Sequence, residues 1–383
     1  MQEESIEFSV SKDVFYNPAM RFCRSMSSLA VGAIGELGQG DAKNMEVVDA
    51  FCASGIRGIR YAKENKNVKK LTSLDIEPGA ITLAKKNAKA NKNAKPNKIK
   101  KFAALRANIS KVAFENVADF LEIDPFGTPS PYLADSMRFF NPKKMAYLSV
   151  TATDVAVLCG GKTAACMKNY QAKPLNCSFT HEIGLRIMLR RIVDVAAEFN
   201  LGTLPLVSFS DQHYLKTIIR LTRSAELAYE SQKKQGHLSF CNKCGWRTAS
   251  KFPPESCQFC HAPLSPYLKT GLDYAGPLYL GEIQDKETIG KMTALNGQRS
   301  YADKEKISNF LSLLDGEISL PPYYYNMHEL CKLNSIQPIP KMEDFLNALH
   351  GAGHIAKRTH FSPISIKTDA PFKAVLDSLR GSS

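Results

Sequence analysis

Three short apolar runs, each closed by an aspartate and a turn, constrain the fold of this chain more than any other feature. They are MEVVDAFCASGIRG at 45–58, LTSLDIEP at 71–78 and VADFLEIDPFG at 117–127. The first is followed by IRYAKEN, which opens a helix, and Pro78 starts another in GAITLAKKNAKAN, where Ile81, Ala84, Ala88 and Asn91 share a face. Strand, glycine turn, helix, strand, helix is the grammar of an open parallel sheet with helices on both faces. MAYLSVTATD supplies a fourth strand. In HEIGLRIMLRRIVDVAAEF, Ile183, Ile187 and Val193 form a stripe that packs on the sheet. Ligands of such sheets lie beyond the carboxyl ends of the strands, so Asp49, Asp75 and Asp124 are expected on one rim. At 383 residues the chain is long for a single core. The polar stretch SAELAYESQKKQG divides an α/β domain at 1–225 from a smaller α+β domain at 226–383.

The turn after the first strand lacks a dinucleotide fingerprint. Only Gly55 and Gly58 are present, with Ala53 and Ser54 filling the bend. A pyrophosphate cradle needs more glycine than this, whereas a cofactor without phosphates, such as S-adenosylmethionine, needs less. Asp75, at the second strand tip, can accept both hydroxyls of a ribose or cap the helix beginning at Pro78. At the third tip, Asp124 can accept the hydrogens of an exocyclic amine, and Phe126 offers a face on which a base can stack. Gly127 lets the chain turn there, and Pro129 and Pro131 stiffen the segment beyond it. The alternative is a rigid loop with Phe126 in the core.

Ten cysteines in a chain without a secretory layout (MQEESIEF at the start) argue against a disulfide framework. Four of them, in CNKC at 241–244 and CQFC at 257–260, form two knuckles with twelve residues between. That spacing predicts a structural Zn2+ held by Cys241, Cys244, Cys257 and Cys260, closed to catalysis because all four positions carry sulfur. An iron–sulfur cluster suits the pattern less well. Cys52, Cys159 and Cys166 read as buried thiols. The net charge of +13 and pI of about 9.2 favour a polyanionic partner, nucleic acid first. KKNAKANKNAKPNKIKK at 85–101 has eight lysines and no acid, with Lys85, Lys89 and Lys92 on one helical face. No apolar run reaches transmembrane length, so a cytoplasmic protein without a membrane partner is expected.

With these segments in hand, the chain resembles the tRNA (guanine26-N2)-dimethyltransferases of archaeal length. The likeness runs in order through FYNPAM (15–20), DAFCASGIRGIRYA (49–62), DIEP (75–78), DPFGTPSPYL (124–133) and SVTATDVAVLCG (149–160). It continues through HEIGLRI (181–187), GPLYLG (276–281) and THFSPISIKTDAP (359–371). The resemblance implies a class I, Rossmann-like methyltransferase domain that places one or two methyl groups from S-adenosylmethionine on N2 of a guanine in tRNA. It implies Asp124 as the catalytic carboxylate, with Phe15 and Phe126 stacking on the extruded base. Arg24, Asp49, Ala53, Gly55, Arg57, Asp75, Ile76, Asn108 and Ile109 are the implied cofactor contacts. With a tRNA substrate the 85–101 lysine run, otherwise a solvated face, is a candidate for phosphate contacts, as are Arg190, Arg191, Lys357 and Arg358; the second domain is expected to grip the tRNA body, and a monomer is expected.

Two departures stand out. Cys23–Arg24–Ser25 replaces the usual Asn-Arg-Asp, and Arg106 stands where an acid usually reads the cofactor's adenine amine. An arginine cannot accept those hydrogens, which leaves Asn108 or the backbone to do so. An adenine N6-methyltransferase and an inactive zinc-bearing tRNA-binding protein are the competing readings.

Overall fold

The computed structural model describes residues 1–383 except 39, 93–96, 114–116, 141–144, 266–270 and 382–383. Seven strands form the main sheet: β1 (Met45–Asp49), β2 (Val68–Asp75), β3 (Lys101–Arg106), β4 (Phe120–Ile123), β5 (Ala146–Ala152), β6 (Leu201–Asp211) and β7 (Tyr214–Arg223). Their order is β3-β2-β1-β4-β5-β7-β6. The first five are parallel, and β7 runs antiparallel to both β5 and β6. From β1 the chain builds outward to β2 and β3, then returns to place β4 on the other side. The reversal opens a crevice between β1 and β4 at the carboxyl edge, where a ligand has room.

Helices α1 (Arg21–Leu37), α2 (Ile56–Glu64), α3 (Pro78–Asn91) and α4 (Thr180–Glu198) cover the two faces. The apolar face read from the sequence of α3 is buried, and Asn91 joins it by bonding the backbone of Glu7. Ile183, Ile187 and Val193 of α4 are buried as well. The long helix α1 begins six residues beyond Phe15. Its side chains are buried from Phe22 to Ile34, all round the helix. One side meets the sheet, and the other meets α6 (Lys286–Gln298) from the far part of the chain. Gly32 permits the approach of α6, because a Cβ there would stand 2.9 Å from Leu295 Cδ1.

After α5 (Ala225–Lys233) come two small sheets. One has the order β9-β8-β10, with β8 (Gln235–Cys241), β9 (Arg247–Ser250) and β10 (Leu272–Tyr279). The other is β11-β13-β12, from β11 (Tyr325–Asn326), β12 (Ala356–Thr359) and β13 (Ser362–Thr368). The expected division near 225 falls at a helix that packs back on β6 and α4. A separate apolar core, built on Trp246, Leu330, Phe345 and Leu376, begins only at Cys241.

A buried ionic seam ties the two parts together. Lys367 of β13 donates to Glu182 of α4 at 2.5 Å, and Arg186 donates to the same carboxylate at 2.9 Å. Arg186 also donates to the Tyr279 and Gly281 carbonyls, and His360, held by Glu317, accepts the Ser210 amide of β6 at 3.3 Å. The segments HEIGLRI, GPLYLG and THFSPISIKTDAP thus carry the seam rather than the strand-end rim.

Candidate active site

The strand order sets the three rim acids side by side. Asp75 ends β2, Asp49 ends β1, and Asp124 follows β4 by one residue, on three neighbouring strands. Their surroundings differ sharply. Asp75 is half-buried and takes the Ala53 amide at 2.9 Å and the Glu77 amide at 3.0 Å. It therefore ties the β1 turn to the start of α3, and Glu77, not Asp75, occupies the N-cap position. Ala53 (φ 44°) and Gly55 (φ 76°) hold that turn in the left-handed region, and a Cβ on Gly55 would stand 3.0 Å from the Cβ of Ala84.

Asp49 is fully buried and accepts one hydrogen bond, from the Gly58 amide at 3.2 Å. Burial, followed by the negative charge of Glu122, pushes its carboxyl up to about 7. Asp124 goes the other way. Burial opposes its ionisation, but Arg57, Lys216 and the Thr151 hydroxyl outweigh that and hold it below the usual carboxylate range. Arg57 donates directly to Asp124 Oδ2. Beneath them, Glu122 is buried in β4 and accepts from Tyr61 Oη at 2.8 Å and from Lys216 of β7. Lys216 also reaches Thr151 Oγ1 at 2.9 Å. A carboxylate inside a central strand is tolerable only with such partners.

The tip beyond Asp124 is exposed. Phe126 is 78% accessible and Phe15 is 55% accessible, which excludes Phe126 from the core. Their rings stand edge to face, 4.8 Å between centroids. Together they present an apolar face beside a half-buried, ionised carboxylate, a surface on which a planar base can lie. Gly127 (φ 78°) makes the turn, and it exchanges two hydrogen bonds with Thr153. Thr128 and Asp154 both bond the Tyr170 hydroxyl. The SVTATD segment therefore acts as a brace for the aspartate–proline–phenylalanine tip.

Several expected contacts have protein partners of their own. Arg24 is buried, pairs with both oxygens of Glu3 and reaches the Asn17 carbonyl. Cys23 lies 3.6 Å from Arg57 Nη1, and Ser25 accepts from Arg60 Nη2 at 3.0 Å. All three residues of the unusual CRS segment thus face interior partners. Arg106 is exposed at the end of β3, and its Nε donates to the Ile76 carbonyl at 3.1 Å. Ile76 is 59% accessible. Asn108 is exposed and accepts the Ser110 amide, while Ile109 is buried. Sequence reading placed Arg57 with the cofactor and named neither Glu122 nor Lys216. Nothing local signals a pairing across 67 residues; only the adjacency of β1 and β4 does.

Ile76, Asp75, the Ala53–Gly55 turn and Asn108 lie together along the strand-end edge. They offer an apolar surface for a purine, acceptor lone pairs for ribose hydroxyls, and a backbone drawn back from the ligand. A cavity of about 850 Å³ lies elsewhere, between α1, the end of α2 and residues 295–301, and no rim acid lines it.

The four knuckle cysteines converge independently of this site. Their sulfurs lie within 4.8 Å of one another, with Cys241–Cys260 at 3.5 Å and Cys244–Cys257 at 3.7 Å. Tetrahedral zinc with bonds of about 2.3 Å sets sulfurs about 3.8 Å apart. Backbone amides of Trp246 and Phe259 point at Cys244 and Cys257.

A family model described as N2,N2-dimethylguanosine tRNA methyltransferase matches residues 1–380. The chain belongs to this family. It is 34% identical over 382 residues to the tRNA (guanine(26)-N(2))-dimethyltransferase of Methanothermobacter thermautotrophicus, covering 97% of this chain and 94% of the relative. The enzyme of that name from Thermococcus kodakarensis is 33% identical, with 96% and 93% covered. A solved structure of Trm1 from Pyrococcus horikoshii in complex with S-adenosyl-L-methionine superposes with a TM-score of 0.87 and 28% identity over 99% of each chain. The fold is accordingly that of a class I methyltransferase, with a four-cysteine cluster able to hold a metal in its C-terminal region. Among the described residues no helix is long and apolar enough to cross a membrane.

Proposed function

We propose that the protein transfers methyl groups from S-adenosylmethionine to the exocyclic N2 of guanine 26 in tRNA, with Asp124, Phe126 and Phe15 as the catalytic set. The observation that carries this reading is the exposed Phe15–Phe126 pair standing at the mouth of an ionised, charge-supported Asp124. A guanine lifted from the tRNA stack can rest against those rings and turn its amine toward the carboxylate.

When bound, S-adenosylmethionine supplies an electrophilic methyl group on a sulfonium centre. Ile76, Asp75, Asn108 and the Ala53–Gly55 turn would hold it. The N2 lone pair of guanine is delocalised into the ring, so the chain contributes alignment and a place for the proton. Asp124 accepts the N2–H hydrogen bond and takes the proton that N2 sheds as its bond to carbon forms. Arg57 and Lys216 keep that carboxylate ionised and fixed before each turnover. Asp124 is 19% exposed at its side chain, so it can return the proton to water. N2 carries two hydrogens, and the same carboxylate serves each in turn, which allows two rounds.

In this reading Cys241, Cys244, Cys257 and Cys260 hold one structural zinc ion, and the enzyme works as a monomer in the cytoplasm. The reading is tested with tritiated S-adenosylmethionine and two tRNA transcripts that differ only at nucleotide 26. Label entering the guanosine transcript but not the adenosine one is expected. Equal labelling of both would overturn the site assignment, and labelling of the adenosine transcript alone would favour an N6-methyltransferase.

A further inference from the structure

Residues 78–113 contain no aspartate or glutamate. Along α3, Lys85, Lys89 and Lys92 are exposed, and so are Lys100, Lys101 and Arg106 on and beside β3. None of these makes a salt bridge to another described residue. Residues 93–96 of the lysine run lie outside the described residues. Lys86 is set apart because it lines a small cleft that Glu7 also lines.

Two ordinary explanations cover only parts of this surface. Among the described residues strand β3 has a neighbour on one side only, and edge lysines discourage pairing with other chains. That accounts for Lys100 and Lys101 but not for a helix. A solvated helix face normally mixes signs at three- and four-residue spacing, and α3 offers no acid at all.

The position of the surface supplies the remaining argument. Val14 packs on Ala80 and Leu83 in the first turns of α3, so the helix starts beside Phe15 and carries its lysines away from the rim. Arg106 stands at the rim end of β3, level with Asp75. The outer strand lies three strands from β4, about 14 Å at the usual spacing. A nucleic-acid strand spans that distance in roughly four nucleotides.

We infer that α3 and the outer edge of β3 bind the phosphate backbone of the tRNA whose guanine enters at Asp124. This inference rests on the proposed function, and the surface adds affinity without reading bases.

The test is a Lys85→Gln/Lys89→Gln/Lys92→Gln variant of the full chain, checked by circular dichroism. Its affinity for unmodified tRNA transcript is measured by fluorescence anisotropy between 50 and 200 mM salt. The wild type should bind with a steep salt dependence. The variant should bind about tenfold more weakly at the low-salt end, its slope of log affinity against log salt should fall by about 2 to 3, and the loss in methylation should fall on KM for tRNA. A folded variant with the wild-type affinity and slope would overturn this inference while leaving the proposed function standing. A wild type that fails to bind tRNA would remove both.

Discussion

Asp49→Asn should stabilise the protein, and the gain should grow with pH. Asp49 is fully buried at the end of β1, with one hydrogen bond, from the Gly58 amide, and Glu122 nearby. An asparagine fills the same space and keeps that bond through its carbonyl oxygen. Burial and Glu122 raise the carboxyl from 3.8 to about 7. An acid raised in the folded state keeps its proton where the unfolded chain has already lost it, so stability falls as pH rises through that window. The loss runs at about 1.4 kcal/mol per pH unit between pH 4 and 7, about 4 kcal/mol in all, and levels off above 7. The asparagine variant lacks this term. At roughly 2.1 cal/mol/K per residue, a chain of 383 residues has an unfolding entropy near 0.8 kcal/mol/K. The Tm difference between variant and wild type should therefore widen by about 2 °C per pH unit from pH 5 to 7. Differential scanning fluorimetry of both proteins at pH 5, 6, 7 and 8 measures it. A difference that stays flat with pH, or a variant less stable than wild type at pH 8, would refute the assignment of Asp49 as an unsupported buried acid.

Other perturbations separate the remaining parts. Phe126→Ala, at a ring that is 78% accessible, should lower methyl transfer at least tenfold while moving Tm by no more than about 1 °C, in line with an exposed position; equal activity would remove the stacking role. Arg57→Gln takes away the main cation that holds Asp124 down, so the acidic limb of the kcat profile should move to higher pH, and an unmoved limb would separate Arg57 from Asp124. Elemental analysis should find one zinc per chain, and its removal by a chelator, or Cys257→Ser, should lower Tm and expose the core around Trp246, read by its fluorescence; a chain free of metal with an unchanged Tm would argue for a purely apolar knuckle. Lys367→Met leaves Glu182 with Arg186 alone and an oxygen already unpartnered, and should cost about 3–5 kcal/mol, seen as a fall in urea midpoint.

Much of the rim could be read from the sequence because strand ends are local. An apolar run closed by an acid and a turn fixes both the strand and the edge on which its tip lies, and Asp49, Asp75 and Asp124 do share that edge. The cysteine spacing was legible for a similar reason, since two knuckles can close only one tetrahedron. Helix α1 was harder to read: Phe22, Met26, Leu29 and Ala33 recur at helical spacing, but Arg24, Ser25, Ser27 and Ser28 on its other faces are buried as well, so the pattern understates how much of the helix is covered. The antiparallel pair β6 and β7 turns on Gln212 at φ 48° without a glycine, so its hairpin carries no ordinary turn signal. The network under Asp124 depends on which strands become neighbours, and residue types alone do not show that. The unusual CRS segment and Arg106 look like losses in the sequence. In the fold Cys23, Arg24 and Ser25 meet Arg57, Glu3 and Arg60, and Arg106 braces the Ile76 carbonyl.

The most direct test of the account is nucleoside mass spectrometry of an unmodified tRNA transcript incubated with S-adenosylmethionine and either wild-type protein or Asp124→Ala. The account predicts N2-methylguanosine and N2,N2-dimethylguanosine with the wild type and neither with the variant, although the variant still binds tRNA. Methylated guanosine formed equally by both proteins would contradict the role given to Asp124, and tRNA binding without any methylated nucleoside from the wild type would leave a binding protein in place of an enzyme.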